Sequence, residues 1–296
     1  MKVKRICGMV LVCASVIAPV GCSNDNSSKE EEKVTSTMLN NNLKNSLVEA
    51  NLDGANANVV MKISFRENDI TYGLNTETDF RICGNPLKVM GDSTIKVEGT
   101  TSSSLDMEMY AYEQEGEMFL QIRDKDGEYV KAPVEDEIKD KIKEYDIFSK
   151  KLIDDETANK ILNATKAYEY TGKTKINNAE YHTLSGTVED GVILEWIKEY
   201  AGESGEDSQE EESLDKLNLS MYIEYIPEDF GDVGVELYFD QEKEFSGMVI
   251  DFSGLVKSVS KDEEAVGKVQ IMLGEKDTSD IEIPKAKTVS MQELME

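Results

Sequence analysis

The chain contains 296 residues, with 32 Lys and Arg against 60 Asp and Glu, so its formal charge is −28. A surface this acidic argues against nucleic acid as a partner, because binding to phosphates needs a basic surface. Apolar residues make up 39% of the chain, which is enough for a folded core and argues against wholesale disorder.

The N-terminus has the pattern of a secretory signal. Lys2, Lys4 and Arg5 precede an uncharged stretch at residues 6–20. This stretch is shorter than the ~20 apolar residues that a transmembrane helix needs. A cleaved signal over residues 1–21 is therefore the better interpretation.

The uncharged stretch ends at Val20-Gly21-Cys22, and polar residues follow it. This segment resembles the lipobox of bacterial lipoproteins, in which a small residue precedes a cysteine that receives a diacylglyceryl group. Pro19 departs from that pattern, since the family usually has Leu there. The resemblance implies a lipidated Cys22 that attaches the protein to the extracytoplasmic face of the cell membrane. An ordinary secretory signal with an incidental cysteine is the alternative.

Residues 22–37 are polar after the cysteine and predict a flexible tether. The remainder, 38–296, is expected to form one domain that contains an acidic loop at 203–215. Apolar residues at helical spacing predict helices at 38–52, 135–153, 155–167 and 190–201. Period-two alternation predicts strands at 59–65, 105–111, 118–122, 128–131, 168–176, 181–188, 217–225, 233–239, 248–252 and 269–273.

The strands before and after the central helices are expected to form halves of one sheet, because neither half has enough helices to cover itself. This order of elements resembles the half-barrel lipoproteins of the LolA/LppX type, and in particular DUF6612-like lipoproteins of Gram-positive bacteria. The segments that carry the resemblance are 91–97, 105–110, 126–131 and 281–284. Tyr129 departs from it, since members usually have Trp there. The resemblance implies an α+β fold in which a curved antiparallel sheet wraps over a few helices, and acyl chains fill the space between them in the best-understood relatives.

Methionines are frequent in the predicted strands, and Met adapts to irregular apolar shapes. Six side chains alternate inward on neighbouring predicted strands and are expected to line a hydrophobic groove: Met107, Met109, Met118, Leu120, Met221 and Ile223. Ordinary filling of the protein core is the alternative interpretation of the same methionines.

Residues for catalysis or metal binding are sparse. His182 is the single histidine, and no nucleophile motif accompanies it. Cys83 is expected to be a buried small apolar residue, and the sequence predicts no metal site and no cofactor. We therefore expect a non-enzymatic lipoprotein that binds a lipid or another hydrophobic ligand. The alternative is a cell-envelope lipoprotein that binds or scaffolds other proteins and has no small-molecule ligand.

Overall fold

The computed structural model describes residues 34–48, 54–83, 86–123, 127–134, 165–200, 226–227 and 229–295. The helices in these ranges are α1 (Ser36–Val48), α2 (Asp190–Tyr200), α3 (Ser253–Ser260) and α4 (Met291–Met295). The strands are β1 (Asn56–Glu67), β2 (Ile70–Cys83), β3 (Lys88–Glu98), β4 (Ser103–Gln114), β5 (Glu117–Arg123), β6 (Tyr129–Pro133), β7 (Thr165–Ile176), β8 (Ala179–Val188), β9 (Val233–Phe239), β10 (Phe245–Asp251), β11 (Val266–Leu273) and β12 (Lys287–Thr288).

These strands form one sheet in the order β12-β6-β5-β4-β3-β2-β1-β11-β10-β9-β8-β7. The sheet is curved and open, with β12 and β7 at its two edges. Its strands pair antiparallel, except that β12 pairs parallel with β6. Because β1 pairs with β11, the strands from the two halves of the chain share one sheet. The predicted α+β class, a curved antiparallel sheet with a few helices in a single domain, is confirmed.

Two-residue turns set the register of three hairpins. In each turn both central residues have positive φ, which is the geometry that matches the twist of paired strands. The turn after β4 has Glu115 and Gly116 at these positions. The other two turns use residues that tolerate positive φ: Asn68 and Asp69 after β1, and Asn177 and Asn178 after β7.

The main core lies on one face of the sheet, which we call the inner face. Leu39 and Leu43 of α1 are four residues apart, so both point to this core. Ile193 of α2 and Leu255 and Val256 of α3 pack into the same cluster. Each such buried side chain contributes roughly 1.5–3 kcal/mol to folding. The helices thereby cover the part of the inner face that β1 and β8–β11 form.

The opposite, outer face is crossed by residues 275–286, which we call the C-terminal strap. Ile281 of the strap is buried against Cys83, Tyr110 and Tyr112 of the sheet. Three polar contacts fix the strap along its length: Asn56 Nδ2 to Glu275 O at 2.8 Å, Arg81 Nη2 to Asp277 Oδ2 at 2.9 Å, and Gln121 Nε2 to Pro284 O at 3.0 Å. The strap then leads into β12 and α4.

Several predicted elements differ from the structure. The helix predicted at 155–167 is wrong for its last three residues, because β7 already begins at Thr165. The strand predicted at 248–252 ends at Asp251, and α3 begins directly after Phe252. The pairing of β7 with β8 and the burial of α3 in the core override these local patterns. The predictions for 135–164, 203–215 and 217–225 fall outside the described residues.

Candidate functional site

The inner face of β2–β6 carries apolar side chains in rows that cross the sheet. In one row, Phe80 lies opposite Gly91, which lies opposite Met109. Met109 in turn lies opposite Ile122, and Ile122 lies opposite Val130. Directly opposite residues of paired strands project from the same face. This row therefore spans five adjacent strands without a charged side chain.

A second row runs beside the first. It consists of Ile82, Val89, Ala111, Leu120 and Ala132, each opposite the next on the neighbouring strand. Because residues two apart on a strand share a face, the two rows form one continuous apolar surface. We call this surface, together with Met107 and Met118 beside it, the inner-face site.

Four of the predicted groove residues come together here. Met107 and Met109 lie on β4, and Met118 and Leu120 lie on the adjacent β5, all on the inner face. Met118 is buried and the other three are half-buried. Met221 and Ile223 fall outside the described residues. That these side chains line a ligand groove stays a prediction.

The inner-face site lies beside the main core. The buried cluster of that core includes side chains of β1 and β8–β11, and within the described part of the chain it includes none from β3–β6. Leu74 on β2 packs against the core from the side of the site, so the two apolar surfaces adjoin. Near the start of β4, Leu105 has 56% of its surface exposed, and it lies opposite Ile95. The inner-face site therefore extends the apolar surface of the core towards solvent.

One polar pair interrupts this surface. The hydroxyl groups of Thr78 and Ser93 lie on opposite strands and are hydrogen-bonded at 3.0 Å. Ser93 is buried, and it lies opposite Met107 on β4. Since each hydroxyl has a partner, the pair adds little cost to an otherwise apolar surface. The chemistry that the inner-face site offers is therefore contact with an apolar ligand.

No protein-family model matches the sequence, and no curated protein matches it. Solved structures do match. LprF from Mycobacterium bovis has 14% identity and a TM-score of 0.40, over 86% of this chain and 100% of that chain. The Mycobacterium tuberculosis lipoprotein LppX has 10% identity and a TM-score of 0.40, over 84% and 100%. A DUF1329 family protein from Desulfovibrio piger has 7% identity and a TM-score of 0.19, over 82% and 92%. The narrower resemblance to DUF6612-like lipoproteins stays a prediction.

Sequence reasoning missed the part of the inner-face site that β2 and β3 supply. The alternation that ends in Phe80 and Ile82 was a usable signal, but Thr76 and Thr78 weaken it. Gly91 was also missed. A Cβ atom there would lie 3.3 Å from the Phe80 ring and 3.9 Å from Met109 Cε, so glycine leaves room for both side chains.

A polar network lies on the outer face, behind the inner-face site. The hydroxyl groups of Tyr110 and Tyr129 both donate to Glu108 Oε2, and Arg123 Nη1 contacts Glu108 Oε1 at 3.1 Å. The hydrogen bond to Glu108 raises the pKa of Tyr129 to about 12, and burial adds to this. Burial, followed by the charge of Glu108, raises the pKa of Tyr110. Both phenols thus stay protonated and act as donors near neutral pH.

His182 and Cys83 both have structural surroundings. His182 is buried on β8, and its Nδ1 lies 3.0 Å from the Tyr170 hydroxyl on β7. Burial lowers the pKa of His182, so the imidazole is neutral at pH 7. Cys83 is buried, and its Sγ donates to the Ser279 carbonyl oxygen of the strap at 3.1 Å.

The described ranges contain neither a cluster of metal-ligating side chains nor a helix that could cross a membrane. In those ranges, no three His, Cys, Asp or Glu side chains are grouped so that they could hold a metal ion. None of the helices described in the structure combines the length and the apolar character needed to cross a membrane.

Proposed function

We propose that this protein is a membrane-anchored extracytoplasmic lipoprotein that binds the acyl chain of a lipid at the inner-face site, without catalysis. The observation that carries the proposal is the pair of apolar rows across β2–β6. The rows adjoin the core, yet most of their side chains keep some exposure. An acyl chain is the ligand whose chemistry matches a long apolar surface with one satisfied polar pair.

The energetics favour such a ligand. Each methylene that leaves water contributes roughly 0.8 kcal/mol, so about eight buried methylenes give a gross gain of roughly 6 kcal/mol. Ordering of the ligand reduces this gain. The flexible, polarisable side chains of Met107 and Met109 can adapt to acyl chains of different shape. We expect affinity for a class of acyl chains rather than for a single lipid.

The anchor on Cys22 would hold the domain close to its ligand source. A net charge of −28 repels anionic lipid headgroups, so membrane attachment depends on acyl chains rather than on charge. Val34, where the described part of the chain begins, packs against the main core. Val34 lies twelve positions after Cys22, a length of chain that can span at most ~40 Å. The inner-face site would therefore work near the outer surface of the membrane.

The test is to express residues 23–296, to extract the purified protein with organic solvent, and to measure bound lipid by native mass spectrometry. We expect an acyl lipid to co-purify, or added palmitate to bind and raise the melting temperature. Met109→Trp should fill the space beside Gly91 and reduce the bound fraction. Ser104→Trp is the matched control, because Ser104 is an exposed residue of the same strand on the outer face.

The proposal fails if no lipid co-purifies and neither palmitate nor phosphatidylglycerol binds to the folded protein. It also fails if Met109→Trp and Ser104→Trp lower lipid binding equally, since the inner face would then have no special role. A protein-interaction or scaffolding role would take its place. Circular dichroism of both variants checks that the sheet is intact.

A further inference from the structure

A concavity lies on the outer face, between the C-terminal strap and the ends of β3, β4 and β6. Its volume is about 540 Å³, within the usual range for small-molecule sites. Tyr112 and Lys131 of the sheet form one wall, and Pro284 and Lys285 of the strap form the other. We call this concavity the strap pocket. It opens on the opposite side of the sheet from the inner-face site.

Lys131 brings a cationic group to the strap pocket. Its Nζ lies 4.2 Å from the centre of the Phe119 ring and 5.8 Å from the centre of the Tyr112 ring, and it donates to Gln114 Oε1 at 3.3 Å. The two aromatic ring faces and the amide oxygen thus position the ammonium group. Within the described ranges no carboxylate forms an ion pair with this ammonium group, and it has further hydrogen-bond donors to offer.

The other charged groups of the lining leave a positive excess. Lys88 Nζ contacts Asp280 Oδ1 at 2.5 Å and donates to the Ile281 carbonyl oxygen at 3.2 Å, so its charge is balanced by the strap. Lys285 lies on the strap side of the lining, and Glu113 also belongs to the lining. On a chain of net charge −28, a pocket in which lysines outnumber carboxylates is a local exception.

Apolar groups adjoin these lysines. The Tyr112 side chain is buried, and its hydroxyl donates to Gln121 Oε1 at 3.1 Å. Because the hydroxyl already has this partner, Tyr112 contributes its apolar ring to the pocket lining. Ile283, Pro284 and Ala286 supply further apolar lining from the strap. A ligand that satisfies both parts of the lining combines an anionic group with a small apolar body.

We propose that the strap pocket binds a small amphiphilic anion, a carboxylate or a phosphate monoester with a short apolar body. The anionic group contacts Lys131 and Lys285, and the apolar body lies against Tyr112 and Pro284. A fatty acid and a phosphorylated lipid headgroup are two sources of this chemistry. The proposal does not depend on lipid binding at the inner-face site, because the two sites lie on opposite faces of the sheet.

The experiment uses the purified full chain in phosphatidylcholine nanodiscs, with empty nanodiscs as the blank, and isothermal titration calorimetry. Four probes separate charge from apolar contact: hexanoate, phenyl phosphate, inorganic phosphate and benzyl alcohol. We expect hexanoate or phenyl phosphate to bind at least tenfold more tightly than inorganic phosphate and benzyl alcohol. A preference for hexanoate points to a fatty acid, and a preference for phenyl phosphate points to a phosphorylated headgroup.

Three lysine variants locate the binding. Lys131→Gln should weaken binding of the preferred probe about tenfold, because one charge-assisted contact is lost. Lys285→Gln should weaken it in the same direction and leaves the ring contacts of Lys131 intact. Lys62→Gln is the matched control, since Lys62 is exposed on the outer face of β1, outside the pocket. Added sodium chloride should also weaken binding.

The proposal is overturned if none of the four probes binds at millimolar concentration. It is equally overturned if inorganic phosphate binds as tightly as phenyl phosphate, or if Lys131→Gln and Lys285→Gln both bind like the Lys62→Gln control. Met109→Trp, which disturbs only the inner-face site, should leave probe binding unchanged. This variant keeps failure at one site distinguishable from failure at the other.

Discussion

The side-chain amide of Gln121 donates a hydrogen bond to the backbone carbonyl oxygen of Pro284 at 3.0 Å, joining the middle of β5 to the C-terminal strap. Gln121 is completely buried, and its Oε1 accepts a hydrogen bond from the Tyr112 hydroxyl. One polar side chain thus satisfies two buried partners on the outer face. The strap is therefore part of the packed structure rather than a loose terminal segment.

Gln121→Leu should destabilise the protein by about 1–3 kcal/mol, because the Tyr112 hydroxyl and the Pro284 carbonyl each lose a buried partner. Urea denaturation measures the change in unfolding free energy. Gln270→Leu is the control, since Gln270 is a half-buried strand residue on the outer face, and we expect a change within about 0.5 kcal/mol. Equal losses in both variants would contradict the role of Gln121.

Two glycine substitutions should change stability in opposite directions. A Cβ atom at Gly267 would lie 2.5 Å from both the Phe252 ring and Val256 Cγ2, so Gly267→Ala should cost about 1–3 kcal/mol by overpacking. A Cβ atom at Gly191, in the first turn of α2, would meet nothing within 4 Å. Gly191→Ala should therefore stabilise the helix by up to about 1 kcal/mol. Thermal unfolding of both variants tests this, and a tolerated Gly267→Ala would show that α3 packs less closely on β11.

His182 should make stability depend on pH below neutrality. Burial lowers the pKa of His182 from its ordinary 6.5, Lys173 and Lys243 lower it further, and Asp240 opposes them. The unfolded chain therefore binds a proton at a higher pH than the folded protein does. The unfolding free energy is fully retained above pH 6.5 and falls as the pH decreases towards the folded pKa. The slope that His182 contributes is at most about 1.4 kcal/mol per pH unit.

The measurement compares wild type with His182→Gln by urea denaturation between pH 8 and pH 5. Gln retains a polar group for the Tyr170 hydroxyl but does not titrate, so the variant should show a flatter pH profile. Parallel profiles would mean that the pKa of His182 is the same in both states.

Cys22→Ala should abolish lipid attachment, because the diacylglyceryl group has no other acceptor at the lipobox. We expect an uncleaved or mis-sorted precursor that does not incorporate a tagged fatty acid during metabolic labelling. Cys83→Ala is the matched control and should be labelled like wild type. Labelling of the Cys22→Ala protein would refute the lipobox assignment.

The strands were predictable where apolar residues alternate without interruption. Val59, Met61, Ile63 and Phe65 on β1 show this alternation, and the structure places three of them in the core. β2 was not predicted, because threonines occupy some of its inward-facing positions. They interrupt the alternation of apolar and polar residues that marks a strand. α3 was not predicted either, because its formation depends on burial of Leu255 and Val256 rather than on local helix propensity.

The inner-face site was predictable only in part. Periodicity shows which residues of β4 and β5 share a face, so Met107, Met109, Met118 and Leu120 could be grouped before the structure was known. Periodicity does not show which strands are neighbours or in what register they pair, so the contribution of β3 required the structure. The strap pocket was not predictable at all, because it depends on where an extended, irregular segment crosses the sheet.

The pairing of β1 with β11 has a consequence for how the chain acquires its structure. Neighbouring strands from β1 to β6 pair with the next in sequence, so this part of the sheet can form from short-range contacts. The other edge of β1 pairs with β11, which lies roughly 200 residues later in the chain. A separation of this size slows formation of the pair. Until residues 266–273 pair with it, this edge of β1 presents unpaired backbone hydrogen-bonding groups. We expect the refolding rate to fall when the pairing of β1 with β11 is weakened.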